Sequence, residues 1–147
     1  MEIEATALVP APPDDVFDFL GDLENHWRLT GSRVQVLGLN GERNGASVQI
    51  RGPLGLRRTA RTKVTASRSP RLILGVAELP GGTRARVSWT LAPHSRETRV
   101  ALVAEVEHAT VLDRFLLAVG GRRWMAHMFD RSLERLAERF SSPSAAP

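Results

Sequence analysis

The sequence predicts an α+β fold, in which one curved, seven-stranded antiparallel sheet wraps a long C-terminal helix in the order β-α-α-β6-α. Three observations predict it. Between residues 111 and 140, at about 100° per residue, Leu112, Phe115, Val119, Ala126, Phe129, Leu133, Leu136 and Phe140 fall on one apolar stripe. Arg131, Glu134, Arg135, Glu138 and Arg139 take the flank and the back, and a helix so patterned needs a large apolar partner surface. From residue 33 to 108, alternating apolar and polar runs are punctuated by turn dipeptides, the mark of an antiparallel meander with one face for a core and one for water. Ahead of both lie a short strand and two short helices, a bracket that closes against the rest.

Taken in order, Glu2 to Val9 alternates and stops at Pro10-Ala11-Pro12-Pro13. Pro13 suits a helix first turn, where its missing N–H is harmless, and Asp14 and Asp15 complement the helix dipole. Val16, Phe17 and Leu20 supply the apolar face, and after Gly21-Asp22 a second helix, about Leu23 to Leu29, carries Trp27. Val34 to Leu39 runs into Asn40-Gly41, a hairpin pair, with Asn44-Gly45 beyond it. Ala46, Val48 and Ile50 alternate with polar residues until Gly52-Pro53 and Gly55 bend the chain. Arg58 to Ala66 sets Ala60, Thr62 and Val64 on one face, and Ser69-Pro70 leads into Leu72 to Leu79. Pro80-Gly81-Gly82 turns back into Ala85, Val87, Trp89 and Leu91, which alternate with Arg84, Arg86, Ser88 and Thr90. After a turn at residues 93–96, Val100, Leu102, Ala104, Val106 and His108 alternate with Arg99, Ala101, Val103, Glu105 and Glu107.

Length and composition bound the function. At 147 residues the chain fits one domain, expected over residues 1–140, with 141–147 a small, polar, proline-containing tail. There is no cysteine, which removes disulfide and thiolate chemistry. The N-terminus lacks the basic start and apolar run of a signal peptide, and no stretch approaches the ~18 apolar residues of a membrane span. A cytoplasmic protein without stable membrane insertion is therefore expected. The balance is basic, with a formal charge of +4, and Lys63 is the only lysine. Its basic residues are interleaved with acids rather than gathered in the contiguous stripe of a nucleic-acid footprint, so no nucleic-acid partner is expected. The densest group, Arg57, Arg58, Arg61 and Lys63, puts Arg57, Arg61 and Lys63 on one strand face, which reads as the solvated outside of a sheet.

The order of elements, with these particular turns, resembles the helix-grip superfamily of START, Bet v 1 and polyketide cyclase-like proteins. The likeness runs over about residues 2–140. It is carried by the opening strand into residues 11–20 and by Asp22-Leu23-Glu24-Asn25-His26-Trp27. It continues through Val36 to Val48, Ser69-Pro70-Arg71-Leu72 and Gly81 to Trp89, and ends with Leu112-Asp113-Arg114-Phe115 to Leu136. The chain looks most similar to the bacterial polyketide cyclase/dehydrase-like branch, with some likeness to the accessory proteins of carbon monoxide dehydrogenase. The resemblance implies a cavity for an apolar molecule between sheet and last helix. It does not imply catalysis, because a fold does not dictate a reaction.

One conflict stands out along the last helix. Arg122 projects near the middle of the apolar stripe, beside Gly120 and Gly121, each about 1 kcal/mol worse than Ala in a helix interior. Local conflicts of this kind gather where a protein keeps a site. Either the Arg122 guanidinium sits in the cavity and pairs with an oxygen of a ligand, or the glycines re-phase the helix and Arg122 reaches solvent. His108, at the end of an inward-facing strand, could serve as acid or base at the cavity mouth, and His26 beside Trp27 could gate it. With Arg122 and His108, the expected ligand-binding set is Trp27, Val64, Leu74, Trp89, Leu102, Val106, Phe115, Val119, Ala126 and Phe129. Trp124 and Met128 fall on the back of the helix, so either the helix re-phases or they make a homodimer contact, and the homodimer is the expectation carried forward. The four histidines show no metal-ligand spacing, and neither metal nor cofactor is expected. No G-x-S-x-G or phosphate-cradling loop occurs.

Two functions follow from this reading. The first is sequestration or transport of a hydrophobic small molecule, lipid-like or polyketide-like, with Arg122 and His108 orienting its polar end. The second is a polyketide aromatase/cyclase that uses the same cavity, Arg122 stabilising an enolate and His108 moving protons. A third, an interaction protein recruited through its basic sheet face, predicts binding that vanishes at high salt.

Overall fold

A computed structural model describes residues 2–21, 25–26, 29, 34–39, 45–52 and 56–141. The predicted α+β architecture is the one observed. Strands β1 (Glu2–Val9), β2 (Val34–Leu39), β3 (Gly45–Arg51), β4 (Arg57–Arg68), β5 (Leu72–Glu78), β6 (Arg84–His94) and β7 (Glu97–His108) form one antiparallel sheet, in the spatial order β1-β7-β6-β5-β4-β3-β2. Helix α1 (Pro13–Leu20) follows β1. After β7 come α2 (Val111–Leu116), a kinked turn (Leu117–Gly121) in which Gly120 is non-helical, and α3 (Arg122–Ser141). The Asn40-Gly41 turn, Trp27 and residues 142–147 lie outside the described residues.

Alternation sets the inner face of the sheet. Ile3, Ala5 and Val9 of β1, Trp89 and Leu91 of β6, and Val100, Leu102 and Ala104 of β7 are all buried. Their sequence neighbours point to water, and Arg86 pairs with Glu107 on the outside at 3.2 Å. Arg57, Arg61 and Lys63 are likewise exposed on the outer face of β4. Register shifts interrupt the ladder between Val36 and Gly38, between Val64 and Ala66, and between Arg84 and Ala85. An extra residue on one strand of a pair bends that strand and increases its twist, so these irregularities curve the sheet.

The N-terminal bracket is pinned by hydrogen bonds. Pro13 occupies the first turn of α1, Asp14 and Asp15 follow it, and Val16 and Leu20 are buried against the sheet. The Gly21 N–H closes that helix on the Phe17 carbonyl at 2.8 Å. Of the second helix expected at 23–29, residues 25, 26 and 29 are described and helical. Asn25 Nδ2 donates to the Phe19 carbonyl at 2.7 Å, and Arg135 Nη1 of α3 donates to the Leu29 carbonyl at 2.8 Å. The bracket is thereby tied to the last helix.

The last helix departs from expectation in its phase. The chain is kinked within residues 117–121, where Gly120 leaves helical geometry, so whatever precedes the kink is rotated relative to whatever follows. Gly120 makes it possible with φ +135°, a conformation that a side chain strains. Gly121 is held close as well, since a Cβ there would come within 2.7 Å of the Leu116 carbonyl oxygen. Downstream the predicted stripe is correct, with Phe129, Leu133 and Leu136 buried. Upstream it is displaced by one residue. Leu112, Phe115 and Val119, expected inside, stand 55–63 % exposed, and Asp113 is buried in their stead. The outward placement of Trp124 and Met128 is corrected too, because the buried face of α3 is broad and extends from Phe129, Leu133 and Leu136 across Ser132 and Met128. Met128 is buried, Trp124 is half-buried against the core, and the surface assigned to a homodimer contact is interior.

Candidate functional site

Between the concave face of the sheet and the last helix lies a cavity of about 300 Å3. The sheet contributes Ile3, Val48, Ala60, Val87, Trp89, Leu102, Ala104 and Val106, and the helix contributes Leu116, Leu117, Trp124, Met125, Met128 and Phe129. A recess of about 80 Å3 between β4, β5 and β6 shares His26, Thr62, Ala77, Val87 and Trp89 with it. Leu56 lines the cavity and is 43 % exposed, which brings one end of the hollow to the surface. Gly121, beside the kink at Gly120, is part of the wall and leaves the helix without a side chain there.

The few polar groups on this wall are nearly all satisfied by the protein itself. Ser132 Oγ donates to the Met128 carbonyl at 2.9 Å, and Thr62 Oγ1 to the Ala46 carbonyl at 3.3 Å. His26 Nε2 lies 2.6 Å from the Leu20 carbonyl, an acceptor, so this nitrogen carries the proton, and the ring tilts against Trp89 with centroids 5.3 Å apart. The principal cluster is at Asp113. Its Oδ2 accepts from Arg58 Nη2 at 2.7 Å, from Thr110 Oγ1 at 3.1 Å and from the Thr83 hydroxyl. Thr110 is also the N-cap of α2, its Oγ1 accepting the Asp113 N–H at 3.2 Å, the arrangement expected of a capping threonine. One group is left over. Arg58 Nε is buried and has no acceptor among the described residues. Among the described residues no cluster of His, Asp or Glu could hold a metal ion.

The structure brings some of the sequence-predicted residues together and disperses others. Trp89, Leu102, Val106 and Phe129 line the cavity, and Val64 lines the smaller recess. Leu74 and Ala126 are half-buried but on neither wall. Phe115 and Val119, upstream of the kink at Gly120, are turned outward. Arg122 is corrected from cavity to surface. It is exposed, and its Nη2 reaches back 3.4 Å to the Glu2 carbonyl. His108 is corrected too, because the register shift at Arg84/Ala85 sets it opposite exposed Arg84 at the strand end, off the cavity wall. Trp27 is outside the described residues. Arg58 and Asp113 were missed. For Arg58 the signal was parity, since it shares a strand face with Ala60, Thr62 and Val64. For Asp113 it was a threonine three residues upstream, the spacing of a capped helix start.

Comparisons with known proteins agree with this geometry. A family model described as "Polyketide cyclase / dehydrase and lipid transport" matches residues 1–141. Among solved structures, the Thermus thermophilus protein TTHA0849 is 21 % identical with TM-score 0.75, covering 100 % of both chains. Protein Ms6760 of Mycobacterium smegmatis is 14 % identical with TM-score 0.71, covering 96 % of this chain and 91 % of its own. An Arthrobacter aurescens protein is 13 % identical with TM-score 0.68, covering 97 % and 87 %. At these identities the likeness is one of fold. A comparison with curated proteins returned no match. Among the described residues no helix is long and apolar enough to cross a membrane.

Proposed function

Because the chain belongs to the polyketide cyclase/dehydrase and lipid transport family, we propose that it binds a hydrophobic small molecule in the cavity between sheet and last helix, sequestering or carrying it in the cytoplasm. The observation that carries this reading is the size and chemistry of the hollow, about 300 Å3 walled by aliphatic, aromatic and methionine side chains. That volume is at the lower end of the ~300–1,000 Å3 of small-molecule sites. An apolar hollow offers water few partners, so filling it with an apolar molecule restores dispersion contacts the walls lack.

The aromatase/cyclase alternative relied on Arg122 and His108, and neither lies on the cavity wall. That geometry favours the binding reading. The decisive measurement is native mass spectrometry of the purified protein, followed by titration with the uncharged fluorophore N-phenyl-1-naphthylamine. Expected are a retained apolar molecule, or saturable uptake of the fluorophore, and weaker uptake in a Val87→Phe variant that fills the cavity. A folded protein that takes up no apolar probe, or takes it up equally well in the filled variant, contradicts the proposal.

A further inference from the structure

Facing Asp113, Leu116 and Leu117 towards the cavity turns the opposite side of the same segment to water. On that side Val111, Leu112, Phe115 and Val119 stand 55–84 % exposed, with Arg114 and Ala118 exposed among them. Single exposed apolar side chains are ordinary, whereas a contiguous apolar patch marks an interaction surface. The patch adjoins the open end of the hollow. Asp113, on the inward side of α2, holds Arg58, and two residues before Arg58 the exposed Leu56 lines the cavity together with Leu116 and Leu117.

Arginines accompany this surface. Arg114 lies within it, and Arg122 and Arg123, directly after the kink, are exposed. Residues 109–129 hold one acid, Asp113, and that carboxylate is turned inward onto Arg58. Glu107, at the neighbouring strand end, is engaged by Arg84 and Arg86 at 3.6 and 3.2 Å. Glu2, whose carbonyl accepts from Arg122, is an exposed acid beside these arginines.

We propose that this face docks on the surface of an anionic lipid bilayer. Its apolar side chains sit at the boundary between headgroups and acyl chains, and its arginines lie on the lipid phosphates. The docking is superficial, since no helix among the described residues is long and apolar enough to cross a membrane. Charge favours a bilayer over a second copy of the chain. In a twofold dimer the same patch faces itself, so Arg114 and Arg123 would meet their own copies with no exposed acid of the segment to pair them. An anionic bilayer supplies that charge and accepts protruding apolar side chains without a matching shape. The proposal goes beyond the binding function above and does not rest on it. Docked in this way, the open end of the hollow meets the phase in which apolar molecules dissolve.

The test is flotation of the full chain with vesicles of phosphatidylcholine alone, and with vesicles in which phosphatidylglycerol makes up about a third of the lipid. Binding is expected to the anionic vesicles, and to weaken steeply when salt is raised to ~0.5 M. Arg114→Gln/Arg123→Gln is expected to weaken it on the order of twentyfold, about fivefold for each charge lost. Phe115→Ser/Val119→Ser, both off the cavity wall, is expected to weaken it about tenfold or more. Because the chain has no cysteine, Phe115→Cys takes a single environment-sensitive nitrobenzoxadiazole label. Its emission is expected to rise and shift to the blue on the anionic vesicles, while the same label on Leu8→Cys, exposed near the far end of β1, stays unchanged. No vesicle binding, equal binding to the uncharged vesicles, binding unmoved by the Phe115 and Val119 substitutions, or a label on Phe115→Cys that stays in water overturns the proposal. So does a concentration-dependent dimer that Phe115→Ser/Val119→Ser disperses in a chain that floats with neither vesicle, which assigns the face to a second copy.

Discussion

In the downstream half of the last helix, residues 122–141, Met128, Phe129, Leu133 and Leu136 are at most 7 % exposed. In the upstream half, Val111, Leu112, Phe115 and Val119 are 55–84 % exposed, while Asp113 is buried at 6 %. One half follows the apolar pattern of its sequence and the other inverts it. The kink at Gly120 between them is the mechanical cause, because it re-phases the chain upstream so that Asp113, Leu116 and Leu117 face the cavity. The arrangement has a compensation. It delivers Asp113 to Arg58, Thr83 and Thr110, a contact that the apolar side chains could not make. The downstream half therefore acts as core, and the upstream half as the wall that sets the polar end of the cavity.

This contrast can be broken most forcefully in the downstream half. Leu136→Ala, at a position with no exposure, is expected to cost about 2–5 kcal/mol by denaturant unfolding. A cost within the noise would mean the helix is not seated as described. Next in size is Gly120→Ala, which forces a side chain into φ +135° and is expected to cost about 1–3 kcal/mol. If it instead leaves stability unchanged, the helix has another low-energy phase, and the exposure of Phe115 to a hydroxyl-radical footprint should then drop. Smallest is Phe115→Ser, expected to change stability by no more than about 0.5 kcal/mol because the ring is 61 % exposed. A loss as large as that of Leu136→Ala would place Phe115 in the core and refute the inversion.

The fold was legible because its signals are local. Alternation in β6 and β7 marked Trp89, Leu102 and Ala104 as inward, and the turn at Pro80-Gly81-Gly82 is where the chain reverses, with Gly81 and Gly82 at positive φ. The apolar half of the site followed from the same alternation. The polar half did not. Arg122 heads the same α-helix as Phe129, but at that end its guanidinium reaches back to the Glu2 carbonyl instead of the cavity, whereas His108 was placed by counting alternate residues through a register shift. For His108 the error is one residue of phase, which is enough to move a side chain from the cavity to water. Arg58 read as one of a basic group on a strand, although its parity with Ala60 set it apart from Arg57 and Arg61.

The amino-acid sequence alone determined the element order, the inner faces of β6 and β7 and the burial of Phe129, Leu133 and Leu136, since these depend on periods of two and about 3.6 residues that any short window displays. Only the tertiary structure decided how the kink re-phases the last helix and which polar groups meet in the hollow. The reason is that Arg58 and Asp113 are separated by 55 positions, so no short window of sequence can pair them.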